Sequence, residues 1–288
     1  MPELPEVETI RRGLNRFILQ QEILSIELKD KKLVLQSARL KELKGDSITE
    51  VSRLGKLLIF SFQKNKKKLL IHLKMTGQLI FGKEEVLLAG GHSEKKQQDL
   101  PMKDWRHVRL QINFAQGKKL ILNDSRRFAY VRLVEPEEFL LVKQRFGLEP
   151  LSAREFSFVN FVKLLEKRPR KNIKAFLLDQ SLIAGIGNIY ADEILFAAGV
   201  LPQRIVSSLK KSEQKKIFEN TKAILKLAVS KRGTTFNDYR DATGKRGDFL
   251  RFLKVYGREG QKCTKCSGKI QKIRLMGRGT HYCSRCQF

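Results

Sequence analysis

Two neighbouring residues near the start of the chain, Pro2 and Glu3, have the makings of a covalent catalyst. Removal of Met1, which a small second residue permits, leaves Pro2 as a secondary amine at the N-terminus. An α-amino group titrates near pH 8, so a useful fraction is unprotonated and nucleophilic at neutral pH. Amines of this kind attack carbonyl-like carbons to give Schiff bases. A secondary amine gives a permanently charged iminium, which acts as an electron sink. The Glu3 carboxylate beside it could move protons. The same stretch, Met1-Pro2-Glu3-Leu4-Pro5-Glu6-Val7-Glu8, also reads as a plain helix start. Pro5 suits the first helical position, and Glu6 and Glu8 oppose the positive end of the helix dipole. An acidic first turn on an amphipathic helix is therefore the competing reading.

A second constellation closes the chain. Cys263-x2-Cys266 and Cys283-x2-Cys286 are separated by sixteen residues, a spacing that can place four thiolates tetrahedrally around one zinc ion. Between them, Ile270–Leu275 and Thr280–Cys283 read as two strands, with Met276-Gly277-Arg278-Gly279 as the turn. So short a segment has little core, and metal binding would supply its folding energy. Disulfides are disfavoured by the intracellular setting that the rest of the chain suggests. Residues 250–288 carry ten Lys or Arg against one acid, Glu259, and Arg278 at the tip is placed to meet phosphate.

The elements that must hold these groups follow from patterning. Val7, Ile10, Leu14 and Phe17 recur at helical spacing behind the N-terminal motif. Residues 23–36, 48–51, 57–62, 69–73, 108–114, 120–122 and 130–134 are short apolar or alternating runs, which predict an antiparallel sandwich or barrel. The polar stretch Gly82–Lys103 reads as a long exposed loop. Beyond Pro136 the period becomes helical at 137–146, 154–167, 173–179, 190–198 and 209–229. The expected domains are residues 1–135, 136–256 and 257–288. Gly185-Ile186-Gly187-Asn188 joins two helices, either as a phosphate-binding helix N-terminus or as a plain turn. Gly244-Lys245-Arg246-Gly247 is a second glycine-bounded basic loop that could close over a ligand.

Composition narrows the partner. The 288 residues hold 58 Lys and Arg against 30 Asp and Glu, a net charge of +28. That balance predicts an anionic polymer, nucleic acid before an acidic membrane surface. No apolar run reaches the roughly 18 residues of a membrane span, and the N-terminus is acidic rather than signal-like. A cytoplasmic, nucleoid-associated protein is expected.

Taken together, these motifs resemble the formamidopyrimidine-DNA glycosylase family. The resemblance rests on Met1–Thr9, His72-Leu73-Lys74-Met75-Thr76-Gly77, Asp124-Ser125-Arg126-Arg127-Phe128, Gly185–Phe196, Val255-Tyr256-Gly257-Arg258, Gly277–Thr280 and the cysteine terminus. It spans essentially the whole chain. It implies an α+β multidomain fold: an N-terminal β-sandwich with an N-terminal helix, a helix-two-turn-helix domain and a C-terminal zinc-finger β-hairpin. It also implies a monomer that holds damaged double-stranded DNA in a cleft and flips an oxidised purine such as 8-oxoguanine from the stack. Pro2 would attack C1′ and displace the base, Glu3 would protonate the opening sugar, and elimination at the 3′ and then the 5′ phosphate would cut the strand.

Further roles carry over by position. Lys56 matches a lysine that contacts phosphate and assists elimination, and Arg278 matches the finger arginine that grips phosphates. Met75, Arg126 and Phe128 match the trio that fills the space of the flipped nucleotide. Asn188 would bind phosphate, Lys174 aligns with a lysine near the lesion, and Glu6 would shape the surroundings of Pro2. Cys263, Cys266, Cys283 and Cys286 would hold one structural zinc.

The chain also departs from the family pattern. Trp105 stands where a DNA-contacting histidine is usual, leaving His107, and Ala129 replaces a preferred glycine after Phe128. Three other readings compete: an endonuclease VIII-like enzyme for oxidised pyrimidines, a catalytically silent DNA-binding protein on the same scaffold, and a basic zinc-ribbon module.

Overall fold

The computed structural model describes residues 1–30, 38–83, 86–92, 106–234, 239–240 and 248–288. The chain divides into two compact units, Met1–Gln144 with Lys231–Leu250, and Arg145–Ser230 with Arg251–Phe288.

In the first unit, apolar runs rich in Leu, Ile and Phe form strands β1 (Ile23–Leu28), β2 (Ile48–Leu54), β3 (Leu57–Phe62), β4 (Lys68–His72), β5 (Gly77–Gly82), β6 (Val86–His92), β7 (Val108–Phe114), β8 (Lys119–Asp124), β9 (Tyr130–Val134) and β10 (Tyr239–Arg240). They assemble into a six-stranded sheet, β1-β7-β8-β5-β6-β10, and a four-stranded sheet, β2-β3-β4-β9. All pairings are antiparallel. One apolar core unites them, with Phe60 and Ile71 from the smaller sheet and Leu79, Phe81, Ile112 and Phe114 from the larger. Val7, Ile10 and Leu14 of helix α1 (Leu4–Phe17) enter the same core, so one face of α1 is fixed by burial. The expected β-sandwich with its N-terminal helix is present.

The stretch expected to be a loop from Gly82 to Lys103 is corrected in part. Residues 86–92 pair with β5 as β6. The strand carries glycine because the helix presses on it: a Cβ on Gly90 would meet Ile10 Cγ1 at 2.5 Å. Residues 93–103 lie outside the described residues. Helix α2 (Pro136–Gln144) ends the first segment of this unit.

The second unit holds helices α3 (Phe158–Glu166), α4 (Ile173–Leu178), α5 (Asn188–Ala198) and α6 (Lys211–Ser230). Polar caps set their starts: the Ser157 side chain accepts from the N–H of Asn160, and that of Asn172 from the N–H groups of Lys174 and Ala175. Gly199, at φ 73°, ends α5 in the left-handed region. Phe156, Phe161, Phe176 and Phe218 pack with ring centroids 5.0–6.0 Å apart. Strands β11 (Gln271–Leu275) and β12 (Arg278–Tyr282) form the C-terminal hairpin. Its turn is tighter than the four residues expected. Leu275 pairs with Arg278, and the two residues between, Met276 and Gly277, have φ of 50° and 72°. Two positive φ values mark a type I′ turn, whose twist matches that of the strands. Arg278 is therefore the first strand residue.

Candidate active site

The N-terminal motif is folded as a helix start and is buried. Pro2 is buried and Glu3 is 4% exposed. Glu3 caps α1, and its backbone N–H donates to Glu6 Oε2 at 2.8 Å, a capping arrangement that satisfies an otherwise orphaned donor. The other oxygen of Glu6 accepts from the Thr234 N–H at 2.7 Å. One carboxylate thus ties the helix start to a segment 228 residues away. Gly233 makes room for it: φ there is +79°, and a Cβ would stand 2.6 Å from Glu6 Oε1. The helix-start reading holds, and that helix start is what seats Pro2 and Glu3.

Lys56 reaches the same place from a hairpin tip. Leu54 pairs with Leu57, leaving Gly55-Lys56 as a two-residue turn. Gly55 at φ 56° followed by a residue without positive φ fits type II′. Arg53 braces the turn, with Nη1 donating to the Gly55 carbonyl at 2.7 Å and Nε donating to Glu8 Oε2 at 3.2 Å. Lys56 is 6% exposed. Burial pushes the Met1 α-ammonium below its ordinary value; the charges of Glu3 and Glu6 oppose this and that of Lys56 reinforces it. These groups therefore share one electrostatic environment at the N-terminus. His72 belongs to it as well. Burial, with the charges of Lys74 and Lys56, lowers its pKa to about 3. The neutral ring accepts the Lys74 N–H at Nδ1 (3.0 Å) and stacks on Tyr130 at 5.6 Å.

Met75 and Phe128 are large apolar side chains left 47% and 45% exposed. Neither is packed into the core. The exposed Arg126 guanidinium lies over the Phe128 ring, 4.6 Å from its centroid. Ala129 has no positive φ, so its backbone does not require the family's glycine. His107 is partly exposed, and its carbonyl accepts the Asp124 N–H at 2.9 Å. Trp105 and the basic loop 244–247 lie outside the described residues.

In the second unit, Arg278 is exposed at the start of β12. Asn188 opens α5 and donates from Nδ2 to the Gly279 carbonyl at 2.8 Å, which ties the glycine turn to the hairpin. Lys174 is a correction. It is 0% exposed, pairs with Asp192 Oδ1 at 2.6 Å and donates to Thr280 Oγ1 at 2.7 Å. A lysine so enclosed has no surface to offer DNA; it joins α4, α5 and the hairpin. Asp192 itself accepts the His281 N–H at 2.8 Å. Glu193 beside it accepts the N–H groups of Lys254, Val255 and Tyr256 at 2.9–3.0 Å. Asp192 and Glu193 lie within the Gly185–Phe196 motif, yet the backbone N–H groups they accept are 61 or more residues away and leave no sequence signal.

The four cysteine sulfurs lie within 4.8 Å of one another, with Sγ–Sγ separations of 3.8, 3.6 and 3.3 Å among them. Tetrahedral zinc at Zn–S of about 2.3 Å requires edges of about 3.8 Å, so the set fits one zinc ion. Four protein thiolates leave no open coordination position, which makes the site structural. Its sulfurs pack with Phe196, Val255 and Ile270 in a small core. Among the described residues no helix is long and apolar enough to cross a membrane.

Three family models match the chain in order. They are the formamidopyrimidine-DNA glycosylase N-terminal domain over residues 1–131, the formamidopyrimidine-DNA glycosylase H2TH domain over 146–239, and a zinc finger found in FPG and IleRS over 260–287. A formamidopyrimidine-DNA glycosylase of Streptococcus thermophilus is 38% identical over 291 residues, covering 100% of this chain and 99% of that one. A crystal structure of wild-type Lactococcus lactis Fpg with DNA containing N7-benzyl-Fapy-dG aligns with a TM-score of 0.85 at 36% identity. The same protein with DNA containing an oxidised pyrimidine aligns with a TM-score of 0.84 at 36% identity. Each alignment covers 99% of both chains. By sequence, architecture and metal site alike, the chain belongs to the formamidopyrimidine-DNA glycosylase family.

Proposed function

We propose that this chain is a bifunctional base-excision repair enzyme that removes oxidised purines from double-stranded DNA and then cuts the strand at the resulting site. The observation that carries the reading is the buried Pro2–Glu3 pair at the start of α1, with Lys56 in the same electrostatic environment. Once Met1 is removed, the Pro2 nitrogen attacks C1′ as the bond to the damaged base breaks. Glu3 delivers a proton to the ring oxygen, and an iminium joins protein to sugar. The iminium acidifies the C2′ proton, its loss expels the 3′ phosphate, and a second elimination expels the 5′ phosphate. Lys56 and Arg278 assist by holding phosphate, and Asn188 and His107 contact the backbone. Met75, Arg126 and Phe128 occupy the space of the extruded nucleotide, the exposed apolar side chains as wedges and the guanidinium as donor to the orphaned base. Glu6 keeps the N-terminus in place. The zinc ion holds the hairpin that presents Arg278.

On this reading, residues 1–135 supply the catalytic groups, 136–256 the helical DNA-binding domain and 257–288 the zinc finger. The protein acts as a monomer in the cytoplasm, associated with the nucleoid. A second reading, excision of oxidised pyrimidines, draws on the relative's complex with such DNA. Release assays on matched duplexes decide between them. The expected result is faster release of 8-oxoguanine and formamidopyrimidines than of an oxidised pyrimidine, and the reverse order contradicts the purine reading.

A further inference from the structure

Gly77 and Asp124 are register partners where β5 begins and β8 ends. The loop bearing Met75 runs into Gly77, and the loop bearing Arg126 and Phe128 leaves from Asp124, so both loops issue from one point on the sheet. At that point lies the Asp124 carboxylate, 1% exposed. Its Oδ1 accepts the hydroxyl of Thr76 and the N–H of Arg126, the latter at 3.3 Å. Its Oδ2 accepts the N–H of Ala129 at 2.7 Å. The main chain of Asp124 is held too: its N–H donates to the His107 carbonyl at 2.9 Å, and its carbonyl accepts from Arg109 Nε at 2.7 Å. A buried carboxylate keeps such donors in place, because each one lost leaves charge less compensated.

Both loops need this restraint. Lys74, just before Met75, has φ +52°, and Arg127, just before Phe128, has φ +57°. Non-glycine residues in the left-handed region persist where surrounding bonds over-determine them. Asp124 bonds the residue after Met75 and residues on both sides of Arg127. The Met75 loop is closed independently by the Gly77 N–H on the Leu73 carbonyl at 2.9 Å, and a Cβ on Gly77 would meet that oxygen at 2.4 Å.

We infer that Asp124 is a positioning residue whose carboxylate yokes the two loops, so that Met75, Arg126 and Phe128 enter the duplex as one preset wedge. This rests on the proposed excision reaction, in which those three side chains fill the vacated stack. Asp124 touches neither sugar nor base, and its effect reaches the reaction through the wedge alone.

The test pairs two substrates. One is a duplex with a single 8-oxoguanine, whose excision needs the wedge. The other is a single-stranded oligonucleotide with a preformed abasic site, which has no stack to open and no orphaned base. Asp124→Ala and Thr76→Val should slow excision from the duplex roughly 10- to 100-fold, the size of effect that small misplacement produces. Both should cut the single-stranded abasic site at the rate of the unsubstituted protein. Thr76→Ser, which keeps the hydroxyl, should restore duplex excision, and the Asp124→Ala, Thr76→Val combination should be no worse than Asp124→Ala alone. Equal losses on both substrates, or no loss on the duplex, overturn the inference. If Asp124→Ala does not fold, the comparison of Thr76→Val with Thr76→Ser decides it by the same criteria. Inactivity of the unsubstituted protein on both substrates would overturn the excision reading itself, and this inference with it.

Discussion

The ammonium of Lys174 lies 2.6 Å from Asp192 Oδ1, and neither side chain has any exposed surface. A buried ion pair is costly to break, because removing one partner strands the other charge, typically at 3–5 kcal/mol. Lys174→Ala should therefore destabilise the second unit by about that much in thermal or urea melts. A lysine that contacted phosphate would behave differently, since its loss reduces the salt slope of DNA binding by about 1. An unchanged slope at a temperature where the variant is folded is the expected outcome. A reduced slope with normal stability would return Lys174 to the DNA surface.

Glu8 predicts a pH dependence. Burial pushes its carboxyl up, but hydrogen bonds from Arg11 and Arg12 and the charge of Arg53 outweigh this and hold its pKa at about 2. A carboxyl depressed in the folded state contributes stability above its unfolded pKa of about 4.3, and that contribution is lost as pH falls toward 2. Glu8→Gln should be destabilised relative to the unsubstituted protein at pH 7, with the gap closing between pH 4 and pH 2. Urea titrations at pH 7, 4 and 2.5 measure it. A gap that does not vary with pH contradicts this account.

Gly233→Ala tests the bond between Glu6 and Thr234. The substitution meets both a φ of +79° and a contact of 2.6 Å with Glu6 Oε1, a combination worth roughly 1–3 kcal/mol. Lower stability accompanied by slower Schiff-base formation is expected. Unaltered trapping kinetics would show that Glu6 does not govern the Pro2 environment.

Chelation should release one zinc ion per chain and unfold the cysteine hairpin, since the metal supplies most of its folding energy. DNA binding should be lost while the β-rich unit keeps its melting transition. Collapse of both units together would contradict this modular behaviour. Binding by the zinc-loaded protein should weaken by about three orders of magnitude between 50 and 200 mM salt if about six phosphates are neutralised.

Much of this was legible in the sequence because its signals are local. The four cysteines announce a metal by spacing, and Leu57–Phe62 and Val108–Phe114 announce strands by composition. Residues 77–82 form a strand that carries no strand signature in the sequence. They are buried on both faces, which erases the alternation that marks a half-exposed strand. β6 was hidden by Gly90-Gly91, whose glycine reflects the approach of Ile10 from another element. Lys174 looks like any other lysine until Asp192, eighteen residues on, is folded against it. The motif around Asp124 stands out in the sequence by its arginines and phenylalanine, whereas its buried carboxylate acts through partners at positions 76 and 129.

The central claim is that Pro2 is the nucleophile, and borohydride trapping tests it most directly. The protein is incubated with duplex DNA carrying one 8-oxoguanine, reduced, and analysed by intact mass and peptide mapping. The account predicts a covalent DNA adduct on a peptide that begins at Pro2, with Met1 absent. An adduct mapping to a lysine, or an unmodified protein with a free Pro2 that excises the base, would contradict it.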